Sequence, residues 1–150
     1  MIPFMHRAPS ASSLVAASLF GVATGMRCFL PLALLSRSRA PRSLRLLLVP
    51  LAAGELVADK LPWMGSRLAP GPLTARVVAA GIGASWLVRS RNRAPLVLAA
   101  ATGALVGALV GNRARTRLPS ATGIPDLPWA VGEDVCTAVL AETAMQLAVD

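Results

Sequence analysis

At 150 residues the chain has room for one domain, yet 55% of it is hydrophobic and only 15% is charged, against about 25% charged in an ordinary soluble domain. A soluble fold of this size leaves too much surface in water to hide that much apolar mass, so the composition points to a bilayer. The formal charge of +8, from 15 Lys and Arg against 7 Asp and Glu, would suit nucleic acid, but the arginines neither interleave with aromatics nor line one basic helix, which excludes that partner.

Residues 1–10 form a short lead with two prolines and the single histidine, His6. Residues 11–36 then read as one helix. Its apolar run is long enough to cross about 30 Å of hydrocarbon. The run continues past Arg27 without a small-x-small cleavage site, so it reads as a retained helix and not as a signal peptide. Gly21 and Gly25 fall four apart on one face, and Pro31 should kink the last third.

An arginine-rich connection follows, with Arg37, Arg39, Arg42 and Arg45. Residues 46–59 give a second helix whose apolar part, 46–58, contains Pro50 and carries Glu55 near its end, just before Asp59. At about 1.5 Å per residue it barely crosses a bilayer, so it is either a short span or a re-entrant segment. Residues 60–72 are a loop with three prolines, in which Trp63 suits a membrane interface. A third helix over 73–88 carries Arg76 near its start and Trp86 near its end, and Arg89, Arg91 and Arg93 follow.

Pro95 opens the fourth helix, 95–112, where Gly103, Gly107 and Gly111 recur every four residues. Such a row lets another helix approach its backbone closely, either inside the bundle or in a homo-oligomer, and a homo-oligomer through this face is the expectation. Residues 112–126, with Arg113, Arg115 and Arg117, read as a loop. The last helix, 128–149, carries Glu133, Asp134, Glu142 and Gln146. Asp134, Glu142 and Gln146 share about a third of its circumference, a stripe expected to turn inward or to lie on the interface. Cys28 and Cys136 sit far apart inside apolar runs and read as small hydrophobes.

The fold expected is therefore an all-α integral membrane bundle of four to five transmembrane helices, one of them short or re-entrant at about 46–58. Its arginine loops should meet anionic headgroups. Arg27, Glu55, Asp59, Lys60, Arg76, Glu133 and Asp134 form the candidate intramembrane polar cluster. Ionisable groups at that depth cost about 2.5–3.5 kcal/mol each on insertion scales and need partners. Glu55 and Asp59 share a helix face one turn apart, and Arg27 and Arg76 are the cations within reach in neighbouring segments. Such a cluster either fixes helix register as ion pairs or handles an ion, a proton or a small polar solute. No phosphate-binding loop, nucleophile elbow or zinc-protease motif occurs. No enzymatic activity, cofactor or metal site is expected.

Gly25-Met26-Arg27-Cys28-Phe29-Leu30-Pro31-Leu32, Glu55-x-x-x-Asp59-Lys60-Leu61-Pro62, Arg76 and Gly132-Glu133-Asp134 together resemble a family of small bacterial inner-membrane proteins catalogued as a domain of unknown function. Its members show a Gly-x-Arg-x-x-x-Pro-like first helix and an Asp-Lys-x-Pro-like turn. The resemblance runs from about Ser13 onward and implies a multi-pass helical protein of the bacterial inner membrane. It implies no activity, ligand or catalytic residue, and the leading expectation is a structural or accessory role.

Overall fold

A computed structural model describes residues 9–58, 68–88, 90 and 92–149. These residues form six helices and no strand: α1 (Ala11–Met26), α2 (Leu30–Arg39), α3 (Arg42–Ala58), α4 (Pro70–Leu87), α5 (Ala94–Thr122) and α6 (Asp126–Leu147). Among the described residues only α5 is long and apolar enough to cross a membrane alone, and α1 is apolar but 16 residues long.

The first expected helix, 11–36, is in fact two. Arg27 leaves helical geometry at φ −136°, ψ 118°, and the chain resumes as α2 at Leu30. The cause lies four residues downstream. Pro31 has no N–H for the carbonyl of Arg27, and its ring would collide with that carbonyl in a continuous helix. Placed instead in the first turn of α2, the same proline loses nothing. The chain reverses here: Phe20 of α1 and Leu32 of α2 both lie against Gly83 of α4. The far half of α2 then runs beside Glu142, Met145 and Gln146 of α6. A kink was expected; a hairpin is found.

Contacts fix the remaining directions. Gly21 meets Ala100, Val22 meets Gly107 and Gly25 meets Ala104, so α1 and α5 run parallel. Gly81 faces Val97 across the short connection, so α4 opposes α5. Arg27 at the end of α1 reaches Asp134 near the start of α6, and the two helices pack closely in opposite senses. Glu55 returns to Cys28, so α3 runs back along α2. Thus α1, α3 and α5 point one way and α2, α4 and α6 the other. Arg37, Arg39, Arg42, Arg45 and Arg93 are exposed at one end, called here the basic rim. The α1–α2 reversal faces the other end.

Helix α5 is longer than the expected 95–112. The stretch from Asn112 through Arg117 contains three arginines and Ala114, all good helix formers, and continues the helix where a loop was expected. It stops only after Pro119, at Gly123, whose φ of 70° is the left-handed conformation of a glycine cap. With 29 residues, α5 is about 43 Å long at about 1.5 Å per residue. Helix α3 also starts earlier than expected, at Arg42, and accommodates Pro50 inside it.

The core is made largely of alanine and glycine. Ala16, Ala17, Ala80, Ala84, Ala100, Ala104, Ala141 and Ala144 are fully buried, with Phe20, Leu35, Leu87 and Leu96 as the large members. Helix α1 is the hub and packs on α5, α6 and α4. A Cβ on Gly25 would overlap the Ala104 carbonyl, and one on Gly107 would overlap the Val22 carbonyl. Gly103 and Gly107 of the α5 row are therefore buried against α1 within one chain, and Gly111 lines a slot between α5 and α6. The row does not present a face to a second copy, which corrects the expected route to a homo-oligomer.

Gly107→Ala should lower stability by about 1–3 kcal/mol, the usual cost of forcing extra volume into a packed interface. Gly54, with nothing near its Cβ position, is the control: Gly54→Ala should leave stability unchanged or raise it by up to about 1 kcal/mol. Thermal unfolding of the two variants in detergent, followed by circular dichroism, checks both.

Candidate polar site

The α1–α2 reversal creates a local problem. A chain leaving one helix and entering another exposes backbone N–H groups that no carbonyl of its own helix can accept. Cys28 N donates to Glu55 Oε1 at 2.7 Å and Phe29 N donates to Glu55 Oε2 at 2.8 Å. One carboxylate thus takes both donors, and its charge sits at the start of α2, where the helix dipole favours an anion. Phe29, the N-cap residue, has no side chain able to do this.

Arg27 is the other half of the corner. It is fully buried, at 0% exposure. Its Nε donates to Asp134 Oδ1 at 2.6 Å, and its Nη2 lies 3.6 Å from Glu133 Oε2. The same Glu133 oxygen stands 3.6 Å from Arg115 Nη1, and Arg115 Nε donates to Asp126 Oδ1 at 2.7 Å. Two guanidiniums and three carboxylates therefore form one continuous chain from the exposed Asp126 to the buried Arg27. It ties the end of α1 to α5 and α6. Arg76 is buried on α4, and both it and Glu55 lie within electrostatic range of the Cys28 thiol.

The sequence expectations meet this geometry unevenly. Arg27, Glu55, Arg76, Glu133 and Asp134 do converge at one end of the bundle. Arg27, one of the two cations expected within reach of Glu55, pairs instead with α6, while Glu55 is held by backbone amides. Asp59 and Lys60 lie outside the described residues, as does Trp63. The inward stripe of α6 is also different: Glu133, Thr137, Ala141 and Ala144 are buried, while Glu142 and Gln146 are exposed. Glu142 and Gln146 instead line a groove of about 410 Å³ with Arg37 and Arg39 near the basic rim. Cys28 is buried and Cys136 exposed, both as free thiols.

Arg115 was missed because residues 112–126 read as a loop. A signal for it existed: Arg115 continues the four-residue row of Gly103, Gly107 and Gly111, the face of α5 that turns toward α1. A row that holds glycine where backbones touch and arginine one turn further on marks the passage from packing to charge.

Every carboxylate named in the network or at the reversal has a charged or amide partner at short range. Arg27→Met should cost about 3–5 kcal/mol of stability, because it leaves carboxylates buried without their cation. Combining it with Asp134→Asn should show a coupling energy of about 1–3 kcal/mol in a double-mutant cycle. Glu55→Gln keeps one acceptor and loses the other, and should cost about 1–3 kcal/mol. Denaturant unfolding in detergent measures all of these.

No protein-family model, curated protein or solved structure matches the chain. Its function therefore has to be read from its own geometry.

Proposed function

We propose that this is a small multi-pass protein of a bacterial inner membrane, with a structural or accessory role, whose buried charges hold a short-helix scaffold together. The observation that carries the reading is the inverted distribution of side chains. On α6, Val131, Val135 and Val139 are each about half exposed, while Glu133 and Thr137 between them are buried. On α3 only Leu48 and Ala52 are buried, and Leu46, Leu47, Val49, Leu51 and Val57 face outward. Leu98, Leu105, Val106, Leu109 and Val110 do the same on α5.

A soluble protein seldom exposes so extensive an apolar surface while sheltering arginine and glutamate. In lipid the pattern is natural, because the outer faces meet hydrocarbon and the charges pair inside. Helices α3 to α6 serve as the spans in this reading. The α1–α2 hairpin enters and leaves from the basic rim, so this reading makes 11–39 the re-entrant element and takes 46–58 as the short span, one of the two alternatives its length allows. The exposed arginines of that rim suit anionic headgroups.

A role in moving an ion or solute is the alternative. The fixed pairing of Arg27, Glu133, Asp134 and Arg115 supports a scaffold, since a transport site needs charges free to exchange partners. Purified protein in liposomes should therefore conduct no ion above the level of empty vesicles, and a saturable flux would replace the accessory role with transport. Membranes washed with alkaline carbonate should retain the protein, and its release into the supernatant would end the membrane reading. In a background with Cys28 and Cys136 replaced by Ala, an impermeant thiol reagent should label Arg42→Cys and Arg93→Cys from the same side and Thr122→Cys from the other.

A further inference from the structure

Helices α5 and α6 pack lightly on each other compared with α1 on α5. Beyond the α1–α2 reversal, where α1 no longer fills the space between them, they leave a cavity of about 250 Å³. Val110, Ala114 and Leu118 line it from α5, Trp129 and Cys136 from α6, and Met26 closes its inner end. Except for Arg115 and Glu133, which are engaged with each other, its walls are apolar. The slot opens sideways, since Val110, Gly132 and Cys136 at its rim are exposed. It is smaller than the roughly 300–1,000 Å³ of ordinary small-molecule pockets. From Val110 to Leu118 it extends about 12 Å along α5.

Two further cations lie on the same stretch of α5, outside the residues that line the slot. Arg113 and Arg117 are exposed, and neither forms an ion pair among the described residues. At 100° per residue Arg117 falls about 20° outside Val110 and Arg113 about 60° outside it, both on the side away from Ala114. A narrow apolar slot open to the side, with an indole in its wall and two guanidiniums on the helix surface outside its Val110 edge, has the chemistry of a lipid's chain-to-headgroup junction.

We infer that this slot holds one anionic glycerophospholipid, its first acyl methylenes between Val110 and Cys136 and its phosphate against Arg113 and Arg117. The inference rests on the membrane reading above and adds a specific ligand to it. The lipid supplies the apolar wall that α1 does not provide at this depth. It also brings a negative charge to the end of α5 that carries three arginines.

Trp129 is a built-in reporter. In the Trp63→Phe/Trp86→Phe protein, circular dichroism first establishes that the helical fold is kept. Reconstitution into phosphatidylcholine vesicles follows, with a small fraction of phosphatidylglycerol or phosphatidylcholine brominated on its acyl chains. The brominated phosphatidylglycerol should quench Trp129 with an apparent preference of roughly tenfold over brominated phosphatidylcholine, as expected for two surface arginines. Arg113→Gln/Arg117→Gln should abolish that preference. Arg42→Gln/Arg45→Gln, which removes the same charge from the basic rim, should leave it intact. Equal quenching by both lipids overturns the site, as does an equal loss of preference in both double variants, which would reduce it to general attraction of a cationic protein. Flotation of the same vesicles separates the two levels: protein that fails to float refutes the membrane reading, and protein that floats without lipid preference refutes the slot alone.

Discussion

A guanidinium with no exposed surface loses its hydration and must recover it from neighbouring groups, and at Arg27 those groups come from α6. Much else depends on meeting this demand. Arg27 is the first residue of the turn, so its partners fix how the end of α1 is set beside α6. Glu133 is shared with Arg115 and carries the constraint to α5. Three helices thus take their register from one side chain, while the alanine and glycine contacts above it supply close packing that alone would tolerate sliding. Small residues bring helices near; the charges say which turn meets which.

The reversal itself depends on a division of labour between distant residues. Pro31 stops the helix by denying a hydrogen bond to the carbonyl of Arg27, and Glu55, contributed by α3, takes up the amides that the stop exposes. Either residue alone would be a liability. A proline break without an acceptor leaves two donors bare, and a carboxylate at that depth without donors is an uncompensated charge. Together they turn the chain in three residues. The short α2 is also held by this corner, since a helix of ten residues has little stability of its own.

Much of this was legible in the sequence, and the failures have physical causes. The helical class, the glycine row and the convergence of Arg27, Glu55, Arg76, Glu133 and Asp134 follow from hydropathy, spacing and the cost of unpartnered charge. The hairpin at Arg27 did not follow, because a proline after a long apolar run reads equally as a kink. Only the tertiary placement of Glu55 makes a full reversal affordable. The extension of α5 was hidden by the arginines at 113, 115 and 117, whose charge suggests a loop although their helix propensity is high. For Glu142 and Gln146, polarity suggested a face turned inward or lying on the interface; both are exposed, and Glu133 and Thr137 are the polar residues that α6 buries. A period of 3.6 shows which residues share a face, but not which of two polar faces wins the core.

The alternation of helix directions has a bearing on how the chain could be assembled in a bilayer. Ser10, the α2–α3 junction at Arg39–Arg42, the α4–α5 junction and the end of α6 all lie at the basic rim. The chain is then three successive hairpins, α1–α2, α3–α4 and α5–α6, each beginning and ending on one side. Each can be inserted as a closed unit, with only its bend carried inward, so the arginine-rich junctions between hairpins never have to be drawn through hydrocarbon. The first bend to enter would be the one at Arg27, before α6 has been made, and its guanidinium would wait for Glu133 and Asp134 until the third hairpin arrives. The oldest part of the fold is completed by the youngest.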